Sequence, residues 1–279
     1  LPMEQHASPT GLPTELIFLG TGCAMVTKCF NTCFALKNGE DVFLVDAGGG
    51  NGILRQLEKA GIDIRQIHNL FVTHAHTDHI LGVIWLVRFV AQEMNKERYR
   101  GKFRIFCHDI TADLLREFVE TLLPQKLGRH LGERILIVTL PDGAQMTCSH
   151  MDFTFFDIHS TKAKQYGFTA ILPDHKKLVC LGDEPLCDAN RPLAANADWL
   201  LTEAFCLDAD RAVFKPAEKH HSTARDAGIN AAALNAKNLV IYHTVDNDLK
   251  NRRARYTAEA SQSFHGRIVV PDDLDRILL

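Results

Sequence analysis

An apolar strand that runs straight into a cluster of metal-binding side chains constrains this chain more than any other feature. Leu70-Phe-Val-Thr73 is apolar and β-prone, and the six positions after it supply His74, His76, Asp78 and His79. Imidazole nitrogens and carboxylate oxygens are the natural ligands of zinc and similar divalent ions. Ligands already close in sequence lose less entropy when a site assembles. If the strand ends near Thr73, His74 and His76 fall on one side of a strand-to-helix turn. Asp78 and His79, at the helix start, can then face a second ion. The ordinary alternative, a polar turn with incidental histidines, is disfavoured by four ligand-type side chains at one junction.

The rest of the chain interleaves strands and helices. Short β-branched and aromatic runs at 15–19, 32–36 and 41–45, parted by glycine or asparagine turns, read as consecutive strands of one sheet. Ile53, Leu54 and Leu57 sit at helical spacing within 51–60, with Gly61 as a stop. The segment 79–93 predicts a helix apolar on nearly all sides, packed deep and starting at the histidine cluster. A strand at 103–107 and an amphipathic helix at 111–123 complete the first half. Beyond Pro124, strands are expected at 135–138, 153–158, 168–172, 178–181, 199–202, 239–242 and 267–270, with helices at 223–235 and 256–263. Two sheets packed together with helices outside, an α/β four-layer αββα sandwich of two similar halves, fit this order. No Pro/Ser/Gly-rich linker interrupts it, so 14–279 reads as one domain. Residues 1–13, where Leu1-Pro2 precedes Met3, read as disordered or vector-derived.

Composition narrows the function classes. The 279 residues are 46% hydrophobic and 23% charged, those of a soluble globular chain with a substantial core. A net charge of -3 provides no global basic field to draw the protein onto nucleic acid or anionic membrane. The most apolar stretch, 80–87, is far short of the roughly 20 residues a span needs. No secretory signal is recognisable at the start. The eight cysteines are scattered without a CxxC pair, which reads as reduced thiols in a cytoplasmic protein.

HxHxDH after a buried strand resembles the signature of the metallo-β-lactamase superfamily, whose αββα fold agrees with the layering above. Phe18-Leu-Gly-Thr-Gly-Cys-Ala24 is similar to the first-strand turn of its ribonuclease Z-like branch, and Leu44-Val-Asp-Ala-Gly48 to its Asp-x-Gly segment. The resemblance makes Asp46 a group that orients the ligand loop. It makes His159, after the strand at 153–158, a third histidine, Asp183 a bridging carboxylate and His243 the last ligand. His74, His76 and His159 would hold one metal and Asp78, His79 and His243 the other, with Asp183 between them. Two divalent ions roughly 3.5–4 Å apart hold a bridging water, lower its pKa towards about 7 and so generate hydroxide at neutral pH. Asp78 would also accept the nucleophile's proton. Zinc is the favoured ion because five of the seven ligands are imidazoles, with manganese or iron as alternatives. Cys23 would line the pocket.

Leu200-Leu-Thr-Glu203-Ala-Phe and Lys219-His-His221-Ser-Thr223 are similar to two further ribonuclease Z segments. They imply a supporting carboxylate at Glu203 and a proton-donating or supporting imidazole at His221. Ser222 or Thr223 suits a helix cap, and His220 solvent. The segments also depart from that branch. Its histidine before the glutamate is Thr202 here, which removes a donor for a phosphodiester transition state or leaving group. Only 23 residues, 160–182, separate His159 from Asp183, too few for the long arm with which many ribonucleases Z grip transfer RNA.

The expected activity is therefore that of a binuclear metal-dependent hydrolase, a phosphodiesterase whose substrate is smaller than transfer RNA. Transfer-RNA 3′-end cleavage is one alternative. Lactone or thioester hydrolysis is another, because the same metal pair polarises a carbonyl. A non-catalytic metal-binding module is a third. The expected partner is a small phosphodiester or other ester; nucleic acid is not favoured, no membrane is expected, and a homodimer is left open. The basic run 251–255 reads as a solvated helix face, with contact to phosphate as the other reading.

Overall fold

The computed structural model describes residues 13–279, so the reading of 1–13 as disordered or vector-derived falls outside the described residues except at Pro13. The first half holds β1 (Glu15–Gly20), β2 (Cys33–Asn38), β3 (Asp41–Val45), α1 (Gly52–Lys59), β4 (Ile67–Phe71), α2 (Thr77–Asn95), β5 (Phe103–Cys107), α3 (Asp109–Leu122), α4 (Gln125–Gly128) and β6 (Ile135–Thr139). The second holds β7 (Gln145–Cys148), β8 (Met151–Asp157), β9 (Tyr166–Ile171), β10 (Lys177–Cys180), α5 (Arg191–Ala194), β11 (Trp199–Glu203), α6 (Arg211–Phe214), α7 (Ala224–Ala233), β12 (Asn238–Tyr242), α8 (Leu249–Ala260), β13 (Arg267–Val269) and β14 (Arg276–Leu278).

Two seven-stranded sheets result, ordered β14-β1-β2-β3-β4-β5-β6 and β13-β12-β11-β10-β9-β8-β7. In each, one half is antiparallel and the other parallel. From β3 through β6 the neighbours run parallel, as they do from β10 through β13. Parallel strands bring their carboxyl ends to one edge, where an open α/β sheet places its ligands.

The period-two alternation of a strand explains the layering. Leu16 and Phe18 of β1 point into a core shared by the two sheets, while Ile17 and Leu19 point into the core beneath α1 and α2. In β12, Val240 and Tyr242 face the inter-sheet core and Leu239 and Ile241 face α7 and α8. Strands buried on both faces read as continuous apolar runs. Aromatic pairs fasten the sheets together: Phe43 stacks on Phe153 at 4.4 Å and Phe71 lies 4.8 Å from Phe155. The four-layer αββα sandwich expected from the sequence is the observed architecture.

The differences have local causes. β7 is a half-exposed edge strand with polar alternate positions, and β14 is three residues long, so neither leaves an apolar period to detect. The α2 helix buries most of its length, but Leu81 and Trp85 remain 37% and 40% exposed, so one face stays open. The basic run does not form a uniformly solvated face. Arg252 is buried, donating to the Thr21 and Thr244 hydroxyls, to the Pro271 carbonyl and to Asp272. Among the described residues no helix is long and apolar enough to cross a membrane.

Gly82 fixes how closely α2 approaches the turn after β3. Its N–H donates to the Gly48 carbonyl at 2.9 Å, and a Cβ there would collide with the Ala47 backbone carbonyl. Gly82→Ala is expected to destabilise the protein by about 1–3 kcal/mol, as overpacking does. Urea denaturation measures this, and an unchanged midpoint would mean that the contact has slack.

Candidate metal centre

The site is assembled at the carboxyl ends of the parallel strands. The chain leaves β3 at Asp46, whose φ of +57° turns it sharply, and leaves β4 for the segment that enters α2. β3 and β4 are parallel neighbours, so the Asp46 carboxylate reaches Thr73. Oδ1 accepts the Thr73 N–H at 2.8 Å and Oδ2 accepts the Thr73 hydroxyl at 2.8 Å. Oδ2 also accepts from His79 Nδ1 at 2.7 Å.

These bonds dictate which imidazole nitrogens are free. With its own proton given to Asp46, Thr73 Oγ1 can only accept, and His74 Nδ1, 2.9 Å away, donates to it. His79 donates through Nδ1 to Asp46. Both rings therefore turn Nε2 inward, unprotonated at His74 and, at His79, open to a cation in place of its proton, the arrangement that a carboxylate or hydroxyl behind a metal-binding histidine enforces. The Thr73 hydroxyl was not singled out from the sequence, because a lone threonine at a strand end carries no pattern.

Three imidazoles converge on one carboxylate oxygen. Asp183, on the turn after β10, has Oδ2 at 3.6 Å from His74 Nε2, 3.6 Å from His79 Nε2 and 3.5 Å from His243 Nε2. His243 follows β12 directly, and Asp78 Oδ2 lies 3.4 Å from both His79 Nε2 and His243 Nε2. Two triplets that could each hold a metal ion emerge: His74, His76 and Asp183, and Asp78, His79 and His243. Asp183 stands between them. His74, Asp78, His79, Asp183 and His243 are all buried.

The chemistry of the donor set fits divalent cations. His74 Nε2 and His76 Nδ1 approach to 2.8 Å, and two nitrogen lone pairs at that distance repel unless a proton or a cation lies between them. Burial disfavours the proton, pushing both His74 and His76 below the ordinary imidazole range. Burial alone would likewise raise Asp78 and Asp183. The adjacent histidines outweigh it and hold both carboxylates well below their usual range. Asp78 and Asp46 outweigh burial at His79 and raise it well above the ordinary imidazole range, so without a metal it favours its proton, which a bound cation would displace.

His159 lies apart from these side chains in the structure. It follows β8 in a left-handed conformation with φ +58°, its N–H held by Asp157 Oδ1 at 2.7 Å, and its side chain is exposed. It belongs to none of the close groups found among the described residues, in which Asp183 joins His74 and His76.

Glu203 ends β11 fully buried, its carboxylate accepting the Ser222 N–H at 2.5 Å and the Phe205 N–H at 2.9 Å. It thereby ties the 205 turn to the 221 turn. His221 Nδ1 lies 3.6 Å from Glu203 Oε2, near as a charge but too far for a hydrogen bond, and is left without a partner. Burial would lower His221, but Glu203 and then Asp183 outweigh it and raise it. Its ring stacks on Phe205 at 4.9 Å and lies 5.4 Å from His243. Glu203, His221 and His243 form a third close group.

The neighbours take up simpler roles. Thr223 caps α7 in a reciprocal box with Asp226. His220 is exposed and 2.8 Å from the Thr161 hydroxyl. Cys23 is buried against Phe205 and Cys206, and burial pushes its thiol up to about 12, so it stays protonated. Thr202, where the related segments carry histidine, is buried in β11.

Comparison with known proteins agrees with this architecture. A profile of the family described as "Anti-Pycsar protein Apyc1" matches residues 14–222. A protein named Ribonuclease Z from Thermococcus sibiricus is 25% identical over 304 residues, covering 95% of this chain and 96% of that one. Among solved structures, the metallo-beta-lactamase fold protein YhfI from Bacillus subtilis superposes with a TM-score of 0.76 at 19% identity, covering 95% of this chain and 99% of that one. The short form of human tRNase Z superposes with a TM-score of 0.71 at 20% identity, covering 94% and 98%. The fold is the metallo-β-lactamase fold, and the chain is ribonuclease Z-like.

Asp46 accepts three hydrogen bonds that an amide in its place could not all receive. Asp46→Asn is expected to keep the fold while weakening divalent-metal binding about 10–100-fold, the usual cost of losing the group behind a metal-binding histidine. Competition with a chromophoric chelator reads this directly. Wild-type affinity in the folded variant would remove Asp46 from any part in orienting His79.

Proposed function

This chain belongs to the Anti-Pycsar protein Apyc1 family, and we propose that it is a binuclear metal-dependent phosphodiesterase acting on a substrate smaller than transfer RNA. It is a metal-dependent hydrolase of the metallo-β-lactamase fold. The observation that carries the binuclear reading is the approach of His74, His79 and His243 to the single oxygen Oδ2 of Asp183. On this reading His74, His76 and Asp183 hold one ion, Asp78, His79 and His243 hold the other, and Asp183 is shared. The exposed His159 stands outside that set.

Two divalent ions bound there would supply an activated water at neutral pH and Lewis-acid stabilisation of charge on a phosphoryl group. The chain's own residues do the rest. Asp78 is kept ionised by His79 and His243, and in that form it would accept a hydrogen bond from the attacking water and orient it. His221, with a side chain 11% exposed and pulled toward its charged form by Glu203, delivers a proton to the leaving oxygen. Phe205 fixes the plane of that ring.

The size of the substrate is argued from what surrounds the centre. Between His159 and Asp183 the chain is a short turn followed by the paired strands β9 and β10, with no arm projecting from it. Transfer-RNA cleavage is the second reading, and the Ribonuclease Z relative favours it. Metal-loaded protein is expected to hydrolyse bis(p-nitrophenyl) phosphate, to lose that activity on chelation, and to leave precursor transfer RNA uncut. Accurate 3′-end cleavage of the precursor would replace the proposal with the second reading, and turnover of a lactone or thioester alone would overturn both.

The role given to His221 is separable from metal binding. His221→Ala is expected to retain two ions per chain while turnover of the phosphodiester falls about 100-fold, within the range for loss of a general acid. An unchanged rate would make His221 only a packing partner of Phe205.

A further inference from the structure

Asp183 uses only half of its carboxylate on the imidazoles, and the other half is held by a residue that no motif marks. Gln165, fully buried in the loop between β8 and β9, donates from Nε2 to Asp183 Oδ1, while its Oε1 accepts the Asp183 backbone N–H at 2.8 Å. One planar amide thus grips both the side chain and the backbone of the same residue. Among side chains in their ordinary protonation state at neutral pH, the amides of asparagine and glutamine offer a donor and an acceptor side by side in this way. The reversed amide would set NH2 against N–H and carbonyl against carboxylate, so the orientation is unique.

The clamp is itself anchored on both flanks. The Gln165 carbonyl accepts the Ile158 N–H at 3.0 Å, at the end of β8, and the next residue, Tyr166, donates its N–H to the Thr73 carbonyl at 3.0 Å. Thr73 immediately precedes His74. Gln165 therefore connects the histidine run, the end of β8 and the shared carboxylate. Gly182 makes room for it: a Cβ at that position, where φ is +77°, would collide with Gln165 Oε1.

We propose that Gln165 is a positioning residue that locks the Asp183 carboxylate so that Oδ2 alone is shared by the two metal sites, coupling the two ions. This rests on the binuclear reading above. The physical reason is rotational freedom. Without the amide, the carboxylate turns about its own axis and offers both oxygens to one ion, leaving the other under-ligated. With Oδ1 tied to the amide, that rotation is opposed.

The full-length protein loaded with Mn2+ provides the test, in wild type, Gln165→Met and Gln165→Glu. Methionine keeps the volume and removes both hydrogen bonds; glutamate keeps an acceptor and, when ionised, removes the donor. In each folded variant the second equivalent of Mn2+ is expected to bind about 10–100-fold more weakly. The exchange-coupled electron paramagnetic resonance signal of the metal pair is expected to be lost or altered, while the near-ultraviolet circular dichroism of the metal-free protein is unchanged. A structural residue with no part in positioning the carboxylate would leave the coupled signal as it is. Two equivalents bound at wild-type affinity with wild-type coupling in either folded variant overturns the proposal. If wild type itself binds a single equivalent without coupling, the binuclear reading fails first and takes the clamp with it.

Discussion

The carboxylate of Asp46 is the point on which the site's geometry depends. Its two oxygens receive a backbone N–H and a hydroxyl from the segment joining β4 to α2 and an imidazole N–H from the first turn of α2. Each donor loses part of its freedom to the same buried acceptor, so the loop, the tautomer of His79 and, through Thr73, the tautomer of His74 are set together. Hydrogen bonds to a charged group are stronger than neutral ones. Here the strength lies in the convergence of three on one residue, whose own left-handed backbone aims it. The Gly82 contact with the Asp46–Gly48 turn holds the start of α2 against this acceptor.

The layered fold was largely open to reading because its strands are short, apolar and buried on both faces, and because the histidine run sits at a strand-to-helix junction. What escaped had no periodic signature. β7 and β14 are too polar or too short to carry one. Arg252 looked like part of a charged surface, yet α8 turns it inward to hydrogen-bond four residues, a tertiary arrangement no local pattern contains. Asp183, Glu203 and His243 could be picked out only through a resemblance, since a single acidic residue or histidine after an apolar strand is common. Gln165 could not be picked out at all. Its partner is 18 positions away, and glutamine in a loop is unremarkable until the hydrogen bonds are seen.

Two parts of the site differ in how they are built, and the difference bears on what each can do. The cluster from His74 to His79 is fixed by hydrogen bonds to Asp46 and Thr73 and by the first turn of α2. The opposite wall, carrying His220 and His221, is built from turns: Phe205 and Ser222 hang on Glu203, and the exposed His220 touches Thr161 across a gap between loops. A fixed floor with a loop-built wall separates holding the reacting group from recognising what is attached to it.

The groups around Asp183 come from opposite sheets: Asp46 and the histidine run from the first, Asp183 and His243 from the second. A chain that has formed only its first sheet can offer a few neighbouring imidazoles and nothing more. The complete set exists only once the aromatic seam between Phe43, Phe71, Phe153 and Phe155 has closed. Ions bound by that set would favour the docked state by mass action, so the seam and the ions would reinforce one another. Cation supply would then govern how long the assembled enzyme persists as well as how fast it works.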